Sequence, residues 1–121
     1  MPSSQIDVPR IGALSAAISN AVVGLLRDYT GRGPTQARAH ITDDLITVVL
    51  EDNLTTGERS LVADGKGDLV LTTRHAYQLT MRADLIAVVE QLSGRRVRAF
   101  LSDNHIEPDV AIESFVLEPL R

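Results

Sequence analysis

One pattern of residues occurs twice in this chain of 121 residues. The two stretches read LLRDYTGRGPTQARAHITDDLITVVLE and VVEQLSGRRVRAFLSDNHIEPDVAIESFVLE. Each contains the apolar end of a helix, a Gly-Arg pair, a strand with basic residues, an acidic turn, and an apolar strand that closes on Leu-Glu. Gly31-Arg32 corresponds to Gly94-Arg95, and Leu50-Glu51 corresponds to Leu117-Glu118. The repetition predicts that one α-β-β unit is used twice.

The first unit is predicted to consist of a long helix and a short hairpin. From Gly12 onward the pattern is helical, and one face carries apolar residues at steps of three or four: Ile11, Leu14, Ile18, Val22, Leu25 and Tyr29. The GRGP stretch at 31–34 ends the helix. Strands are predicted at about 37–42 and 45–51, joined by a tight turn at Asp43-Asp44. Residues 1–10 are expected to form a flexible leader, and residues 11–121 a single domain.

An inserted segment separates the two units. Thr55 or Thr56 can cap a short helix, with Glu58 completing the capping box, and glycines at 65 and 67 break that helix. Asp68 is then expected to cap a long helix that runs to Leu92. Arg74 interrupts its apolar stripe, which consists of Val70, Tyr77, Met81, Leu85, Val88 and Leu92.

The second unit closes with a longer hairpin. Its first strand shows two alternating sets of side chains: Val97, Ala99 and Leu101 against Arg96, Arg98 and Phe100. Its second strand alternates in the same manner: Val110, Ile112 and Val116 against Ala111, Glu113, Phe115 and Leu117. We therefore predict an α+β fold, a two-layer sandwich of about four mostly antiparallel strands with helices on one face.

The composition argues against several classes of function. The chain has no Cys, which excludes disulfides, thiolate metal sites and a Cys nucleophile. A net charge of −4 and an aromatic content of 3% do not suit a nucleic-acid surface. The start of the chain lacks the pattern of a signal peptide, and its apolar runs are shorter than a membrane span. We expect a cytoplasmic protein without direct membrane insertion.

The two Gly-Arg loops are a candidate anion site. Guanidinium groups bind carboxylate, phosphate or bicarbonate through paired hydrogen bonds. The loops contribute Arg32 and Arg95 to this candidate site. If the two basic strands are neighbours, four further side chains can share one sheet face: Arg38, His40, Arg96 and Arg98. The alternative is that Glu51, Glu113 and Glu118 pair with these cations across strands. The loops are not phosphate loops, because their glycines close a helix and the Gly-Lys-Ser/Thr core is absent.

The SDNHIEPD stretch between the last two strands is a candidate metal site. Asp103, His105, Glu107 and Asp109 recur at every second residue, and all four side chains can bind a metal ion. The spacing fails the calcium-loop pattern, because the sixth residue is a proline and the twelfth is a serine. The alternative is a long polar turn, in which side chains bond to the backbone and a proline stiffens the return.

Three stretches carry a resemblance to a known family: GRGP at 31–34, LT-x-x-ER-x-L at 54–61, and FLSDNH at 100–105. With these, the chain resembles the MpsC-like family over about residues 12–118. The family consists of small soluble proteins named for a Na⁺-translocating, membrane-potential-generating system. The resemblance implies an accessory role in ion or bicarbonate translocation, with a membrane protein as a possible partner. It provides no catalytic residues to carry over to this chain, and we expect no cofactor.

We therefore expect a non-catalytic accessory or regulatory domain. The alternatives are a small-anion sensor that uses the Gly-Arg loops, and an undescribed enzyme or metal-binding protein that uses residues 103–109. A homodimer is also expected, because Ile46, Val48 and Leu50 lie on one side of a strand while Leu45 and Val49 lie on the other. A two-layer domain covers only one face of its sheet with helices, and the other apolar face then needs a partner.

Overall fold

The structure, a computed structural model, describes residues 8–120 as three helices and four strands. In chain order these are α1 (Val8–Thr30), β1 (Gln36–Thr42), β2 (Leu45–Glu51), α2 (Thr56–Ala63), α3 (Gly67–Ser93), β3 (Val97–His105) and β4 (Val110–Leu117). Residues 1–7 of the expected leader lie outside the described residues. Residues 8–10 belong to α1, so the helix begins four residues before Gly12.

The four strands form one antiparallel sheet in the order β1-β2-β4-β3. The predicted α+β class and the α-β-β repeat are therefore confirmed, with α2 inserted between the units. The second strands of the two units lie side by side at the centre, where Thr47 pairs with Ser114. Each of these residues precedes its Leu-Glu pair by three positions, so a pseudo-two-fold axis normal to the sheet passes between them.

One face of the sheet holds the hydrophobic core. α1 and α3 pack against each other and against β1 and β3 respectively, while α2 packs on α3. The buried core residues come from α1 (Ile18, Val22, Leu26), α3 (Met81, Leu85, Val89) and the central strands (Ile46, Val48, Leu50, Ala111, Phe115, Leu117). We call the opposite side of the sheet, which faces away from α1 and α3, the open face.

α1 is the described helix that satisfies the length and composition of a membrane span. Its Arg10–Thr30 segment has a mean hydropathy of 1.2. Ile18 and Val22 are nevertheless fully buried against the sheet and α3, and Leu26 is nearly so. Packed core helices meet the same criteria as spans, so this finding is weak evidence for membrane contact.

The predicted cap of α2 is confirmed, whereas that of α3 is wrong. Thr55 caps α2, and its hydroxyl accepts a hydrogen bond from the Glu58 amide while the Glu58 carboxylate accepts one from the Thr55 amide. α3 begins at Gly67 with Lys66 at the cap position and no side-chain cap bond, so Asp68 lies inside the first turn. Gly65, with a φ of 78°, provides the left-handed backbone conformation of this tight link between the helices.

The buried stripe of α3 differs from the predicted one. Arg74, Gln78 and Val89 are buried, while Tyr77 and Val88 are half-buried and Leu92 is exposed. Arg74 and Gln78 occupy contact positions because each has a buried polar partner on another element. Hydropathy alone cannot identify such positions, since it ranks both residues as exposed.

A register shift between Val97 and Ala99 changes the predicted alternation in β3. Beyond it, Phe100 faces the core and its ring lies 5.1 Å from that of Phe115. Leu101, expected on the same side as Val97, is instead 58% exposed on the open face. A bulge adds one residue to one strand, so every later side chain points to the other face.

Candidate functional site

The open face has an apolar centre between two edges that carry charged side chains. The central strands contribute Leu45 and Val49 from β2, and Ile112 and Val116 from β4. Leu45 and Ile112 are each 40% exposed, which is high for residues in the middle of a sheet. The edges carry Arg38 and His40 on β1, and Leu101, Asp103 and His105 on β3.

Backbone pairing aligns the open-face residues in rows across the sheet. One row contains Arg38, Val49, Ile112 and Asp103, since each is paired with the next. The adjacent row contains His40, Thr47, Ser114 and Leu101, and the Thr47 and Ser114 hydroxyls lie 3.3 Å apart. A cation and an anion therefore end the same row on opposite edges.

The strand order contradicts the hypothesis that the two basic strands are neighbours. β1 and β3 form opposite edges of the sheet, with β2 and β4 between them. Arg38 and His40 thus lie across the sheet from Arg96 and Arg98, which are exposed at the other edge. The six candidate anion-binding residues are not brought together, because each hairpin joins the sheet through its second strand.

The two loop arginines bind backbone and carboxylate groups near their own helix ends. Arg32 donates to the Asp52 carbonyl at 2.7 Å, to the Leu54 carbonyl at 3.1 Å, and to the Asp52 carboxylate at 3.1 Å. Arg95 donates to the Asp43 carbonyl at 2.9 Å, to the Asp44 carboxylate at 2.6 Å, and to the Glu118 carbonyl. Both guanidinium groups therefore tie a helix end to a strand end.

The expected cross-strand pairs with these cations occur at one of three glutamates. Arg38 lies 3.8 Å from Glu51 on the neighbouring strand. Glu113 points the other way and is 1% exposed beneath α3. Glu118 meets Arg95 through its backbone carbonyl. Glu113 faces the core because it shares the β4 side that carries Phe115 and Leu117.

The SDNHIEPD stretch is shorter as a turn than expected. β3 continues through His105, so the turn comprises residues 106–109. Asp103 and His105 lie on the open face, and the carboxylate of Asp103 accepts a bond from the Asn104 amide at 2.8 Å. The His105 ring lies 2.9 Å from the Pro108 carbonyl.

The four candidate metal ligands do not form a site together. Within residues 8–120, no three His, Asp or Glu side chains converge as a metal would require. Asp109 accepts a bond from the Leu54 amide at 2.9 Å and lies 3.7 Å from Arg59, while Glu107 is exposed on the turn. Asp103 and His105 belong to β3, whereas Glu107 and Asp109 belong to the turn, which explains the separation.

The 106–109 turn forms one wall of a groove of about 430 Å³. α2 forms the other wall, and the lining residues are Leu54, Arg59, Val62, Ala63, Ile106, Glu107, Pro108 and Asp109. The floor is mostly apolar. Charged side chains lie on its rim, so the groove can hold an apolar side chain flanked by a polar one.

Two of the charges at the groove are bound within the fold. Arg59 pairs with Asp52 and approaches Asp109, and the Asp52 amide donates to the Asp109 carbonyl at 3.1 Å. Hydrogen bonding from Thr35, together with Arg32 and Arg59, holds the pKa of Asp52 below its usual range. These bonds connect α2 to the turn and keep the groove walls in place.

A buried ion pair joins α2 to α3. The Arg74 side chain is 3% exposed, and its Nε donates to Glu58 Oε2 at 2.8 Å while Nη2 binds Glu58 Oε1. Nη2 also donates to the Asn53 carbonyl at 2.7 Å. Burial works to raise the pKa of Glu58, but the bonds from Arg74 and Thr55 outweigh it and the pKa is lowered.

A second polar group lies between α3 and the sheet. Gln78 and Asn104 exchange amide hydrogen bonds of 2.9 and 3.2 Å, and Gln78 Nε2 also lies 3.3 Å from Glu113 Oε2. Burial raises the pKa of Glu113 to about 7, against the opposing effects of Ser102, Gln78 and the charge of Arg74. Glu113 Oε1 and the Ser102 hydroxyl are buried without a hydrogen bond of ordinary geometry.

Sequence reasoning missed this polar layer, although two signals were present. Arg74 interrupts an apolar helical stripe, and Glu113 belongs to the side of β4 that otherwise carries Ala111, Phe115 and Leu117. A charged residue at a position that the pattern assigns to the core indicates a buried partner. The partners themselves could not be found by periodicity, because Glu58 and Arg74 are 16 residues apart.

The comparisons with known proteins give one match. A family model described as Na+-translocating membrane potential-generating system (MpsC) matches residues 10–119. The matched range contains all four strands, α2, α3 and all of α1 except its first two residues. No curated protein and no solved structure matches the chain.

Proposed function

This chain belongs to the MpsC family, and we propose that it is a non-catalytic accessory or regulatory subunit of a Na⁺-translocating system in the membrane. The observation that carries the proposal is the family match over residues 10–119, which spans the whole packed domain. Because the match covers the whole domain, we assign the function that the family shares to the complete α+β domain. The domain acts in the cytoplasm, on a membrane protein that moves the ion.

The charged residues support a role in binding rather than catalysis. Arg32, Arg74 and Arg95 each pair with a carboxylate and with backbone carbonyls. These bonds hold the ends of helices and strands, although the buried Nε of Arg95 has no hydrogen bond to any described residue. Charged groups that are bound in this way stabilise the fold. We therefore expect the protein to act by binding a partner at its surface.

The groove between α2 and the 106–109 turn is the proposed contact with the membrane protein. Its floor contains Leu54, Val62 and Ile106, which can receive an apolar side chain. Arg59 is bound to Asp52, so the exposed carboxylate of Glu107 remains as the rim charge for a partner. Cytoplasmic loops of membrane proteins are enriched in Lys and Arg close to the membrane. A basic loop segment with an apolar anchor therefore matches this groove.

The proposal is tested by the Na⁺-dependent membrane potential of intact cells, measured with a potential-sensitive dye. We expect a strain that lacks the protein to lose most of this potential, and the wild-type chain to restore it. Ala63→Arg places a long charged side chain in the groove, and it should fail to restore the potential although the protein folds. A strain that keeps its full Na⁺-dependent potential without the protein would overturn the proposal.

A matched control distinguishes an effect on the groove from an effect on folding. Ala83 is exposed on α3, away from the groove, so Ala83→Arg introduces the same side chain and should restore the potential as the wild type does. Glu107→Lys tests the rim charge and should weaken restoration, because it repels a basic loop. If Ala63→Arg restores the potential as well as Ala83→Arg, the groove is not the contact.

A further inference from the structure

We propose that the open face is covered by a second copy of this chain. The two sheets pack face to face about a two-fold axis that runs along the central strands. Arg38 of each copy then pairs with the partner's Asp103 at both edges of the interface. This inference concerns a different surface from the groove and stands independently of the role in Na⁺ translocation.

The apolar centre of the open face is the first reason for a partner there. Leu45 and Ile112 are 40% exposed and Leu101 is 58% exposed, and all three lie on the same face as Val49 and Val116. Exposed apolar side chains that adjoin one another mark contact sites more often than isolated ones do. A second sheet at about 10 Å is the usual cover for such a face.

The row that contains Arg38 and Asp103 identifies the partner as a copy of the chain. Arg38, Val49, Ile112 and Asp103 are paired in succession across the sheet. A two-fold axis parallel to the strands, placed between β2 and β4, puts β1 of one copy over β3 of the other. This rotation does not change the position of a row along the strand direction. Arg38 therefore meets the partner's Asp103, and Val49 meets the partner's Ile112.

The other simple arrangement lacks this complementarity. A two-fold axis across the strands, placed along the row of Thr47 and Ser114, puts β1 over β1 and β3 over β3, so that Arg38 faces the partner's Thr42 and Asp103 faces the partner's Ala99. Neither pair is oppositely charged. Charge complementarity fixes the orientation of an interface by favouring one register over others. The charges at the two edges thus select the axis along the strands.

Arg38 and Asp103 are both available for such a pair. The Arg38 side chain is 70% exposed, and its contact with Glu51 is long at 3.8 Å. Surface pairs of this kind contribute little and are easily exchanged. Asp103 is exposed and accepts one backbone hydrogen bond, from the Asn104 amide, which leaves carboxylate lone pairs free. An arginine side chain is long enough to reach a carboxylate on a facing sheet.

The size of the face sets the expected affinity. Four strands about 4.8 Å apart and about seven residues long at 3.3 Å per residue give roughly 450 Å² in projection for each copy. The pair then buries about 900 Å², which is below the roughly 1,200–2,000 Å² of stable interfaces and typical of weak, transient ones. We therefore expect a dimer that forms at micromolar concentrations and weakens with salt, because its edges are charged.

Sedimentation equilibrium between 1 and 200 µM protein tests the proposal directly. The apparent mass should rise from the monomer value of 13.1 kDa to twice that value. Arg38→Glu and Asp103→Arg should each raise the dissociation constant by at least about tenfold, because each places two like charges together at both edges. An equal mixture of the two variants should dimerise, since one edge then carries the reversed pair of opposite charges and the other edge carries the native pair.

The mixture distinguishes the proposed arrangement from other dimers. Arg82→Glu makes the same charge change on an exposed position of α3 and should leave the dissociation constant unchanged. A wild-type protein that remains at 13.1 kDa up to 200 µM would overturn the proposal. A dimer that the single variants leave intact would do so as well, and so would a mixture of the folded variants that stays monomeric.

Discussion

The α1-β1-β2 unit and the α3-β3-β4 unit end their helices in the same way. Gly31 and Gly94 both adopt left-handed backbone angles, with φ of 83° and 69°, and each amide donates to a carbonyl four residues earlier at 2.9 Å. The Thr30 and Ser93 hydroxyls both donate to carbonyls four residues earlier, at 2.7 Å, and accept from the amides of Arg32 and Arg95.

The buried faces of the two units differ. In the first unit, β2 presents Ile46, Val48 and Leu50 to the core, and all three are almost fully buried. In the second unit, the position that corresponds to Ile46 is Glu113, and α3 adds Arg74 and Gln78. The frame of each unit, meaning its helix end and the order of its helix and strands, therefore repeats through backbone geometry and through hydrogen bonds from hydroxyl groups to the backbone. The interior of each unit instead depends on what packs against it.

α2 explains why the second unit can hold a buried charge. Arg74 lies between α3 and α2, where Glu58 and the Asn53 carbonyl satisfy its guanidinium group. The first unit has no corresponding insertion, and its helix buries apolar residues at the central positions. A buried cation is tolerated only where its hydrogen bonds are made by the protein.

The largest effect is expected when the Arg74–Glu58 pair is broken. Glu58→Gln keeps the shape of the side chain and can still accept the bond from the Thr55 amide, so the cap of α2 is retained. It removes the negative charge and leaves Arg74 as an unpaired buried cation. We expect the free energy of unfolding, measured by urea denaturation, to fall by about 3 to 5 kcal/mol.

A double variant separates the effect of the buried charge on stability from the effect of side-chain packing. Glu58→Gln combined with Arg74→Met makes this part of the second unit resemble the apolar interior of the first. It should recover most of the lost stability, because neither position of the pair then carries a buried charge. Asp64→Ala breaks the exposed pair with Lys66 and should change the free energy by less than about 1 kcal/mol. A small effect of Glu58→Gln would show that water reaches Arg74.

The next effect concerns Glu113, where the pKa lies at about 7 in the folded protein against 4.5 for an exposed glutamate. Below pH 4.5 the carboxyl is protonated in both folded and unfolded chains. As the pH rises from there to 7, the unfolded chain ionises first, so the free energy of unfolding should decrease by about 3 kcal/mol and then level off. Arg74, Gln78 and Ser102 are the groups that oppose the effect of burial.

Glu113→Gln should remove this pH dependence. The amide keeps an acceptor for Gln78 Nε2, and it cannot ionise. At pH 8 the variant should therefore be more stable than the wild type by about 2 to 3 kcal/mol, while at pH 4.5 the two should be similar. Urea denaturation at several pH values measures both. Equal slopes in the two proteins between pH 4.5 and 7 would place the titrating group elsewhere.

Much of the frame could be predicted from the sequence because it depends on local chemistry. The glycines that end both helices, the Asp43-Asp44 turn and the capping box at Thr55 act within a few residues of themselves. The repeat also predicted the α-β-β order correctly. The strand order could not be obtained in this way, since a repeat defines the units and does not say which of their edges meet.

The parts of the site that could not be predicted depend on contacts distant in sequence. The bulge near Ala99 moves Leu101 to the open face, and alternation alone placed it on the other side. The row that joins Arg38 to Asp103 exists only because β2 and β4 adjoin at the centre. Glu113 and Gln78 are 35 residues apart, beyond the reach of any local pattern.

The smallest effect tests whether the two helix ends are energetically equivalent. At both Gly31 and Gly94 an added Cβ atom would meet no atom within 4 Å outside the two adjacent residues, so an alanine there is penalised through its backbone angles. Gly31→Ala and Gly94→Ala should each lower the free energy of unfolding by about 1 to 2 kcal/mol, and by similar amounts.

Gly24→Ala provides the opposite sign within the same helix as Gly31. Gly24 lies inside α1 with open space around it, so alanine should stabilise the protein by about 0.5 to 1 kcal/mol. Gly94→Ala could lower the free energy of unfolding much more than Gly31→Ala does. That result would mean that the second unit, with its buried polar layer, tolerates a change of backbone angles at its helix end less well. Equal losses would show that the frame is independent of the interior, as the matching hydroxyl and glycine geometry at the two ends implies.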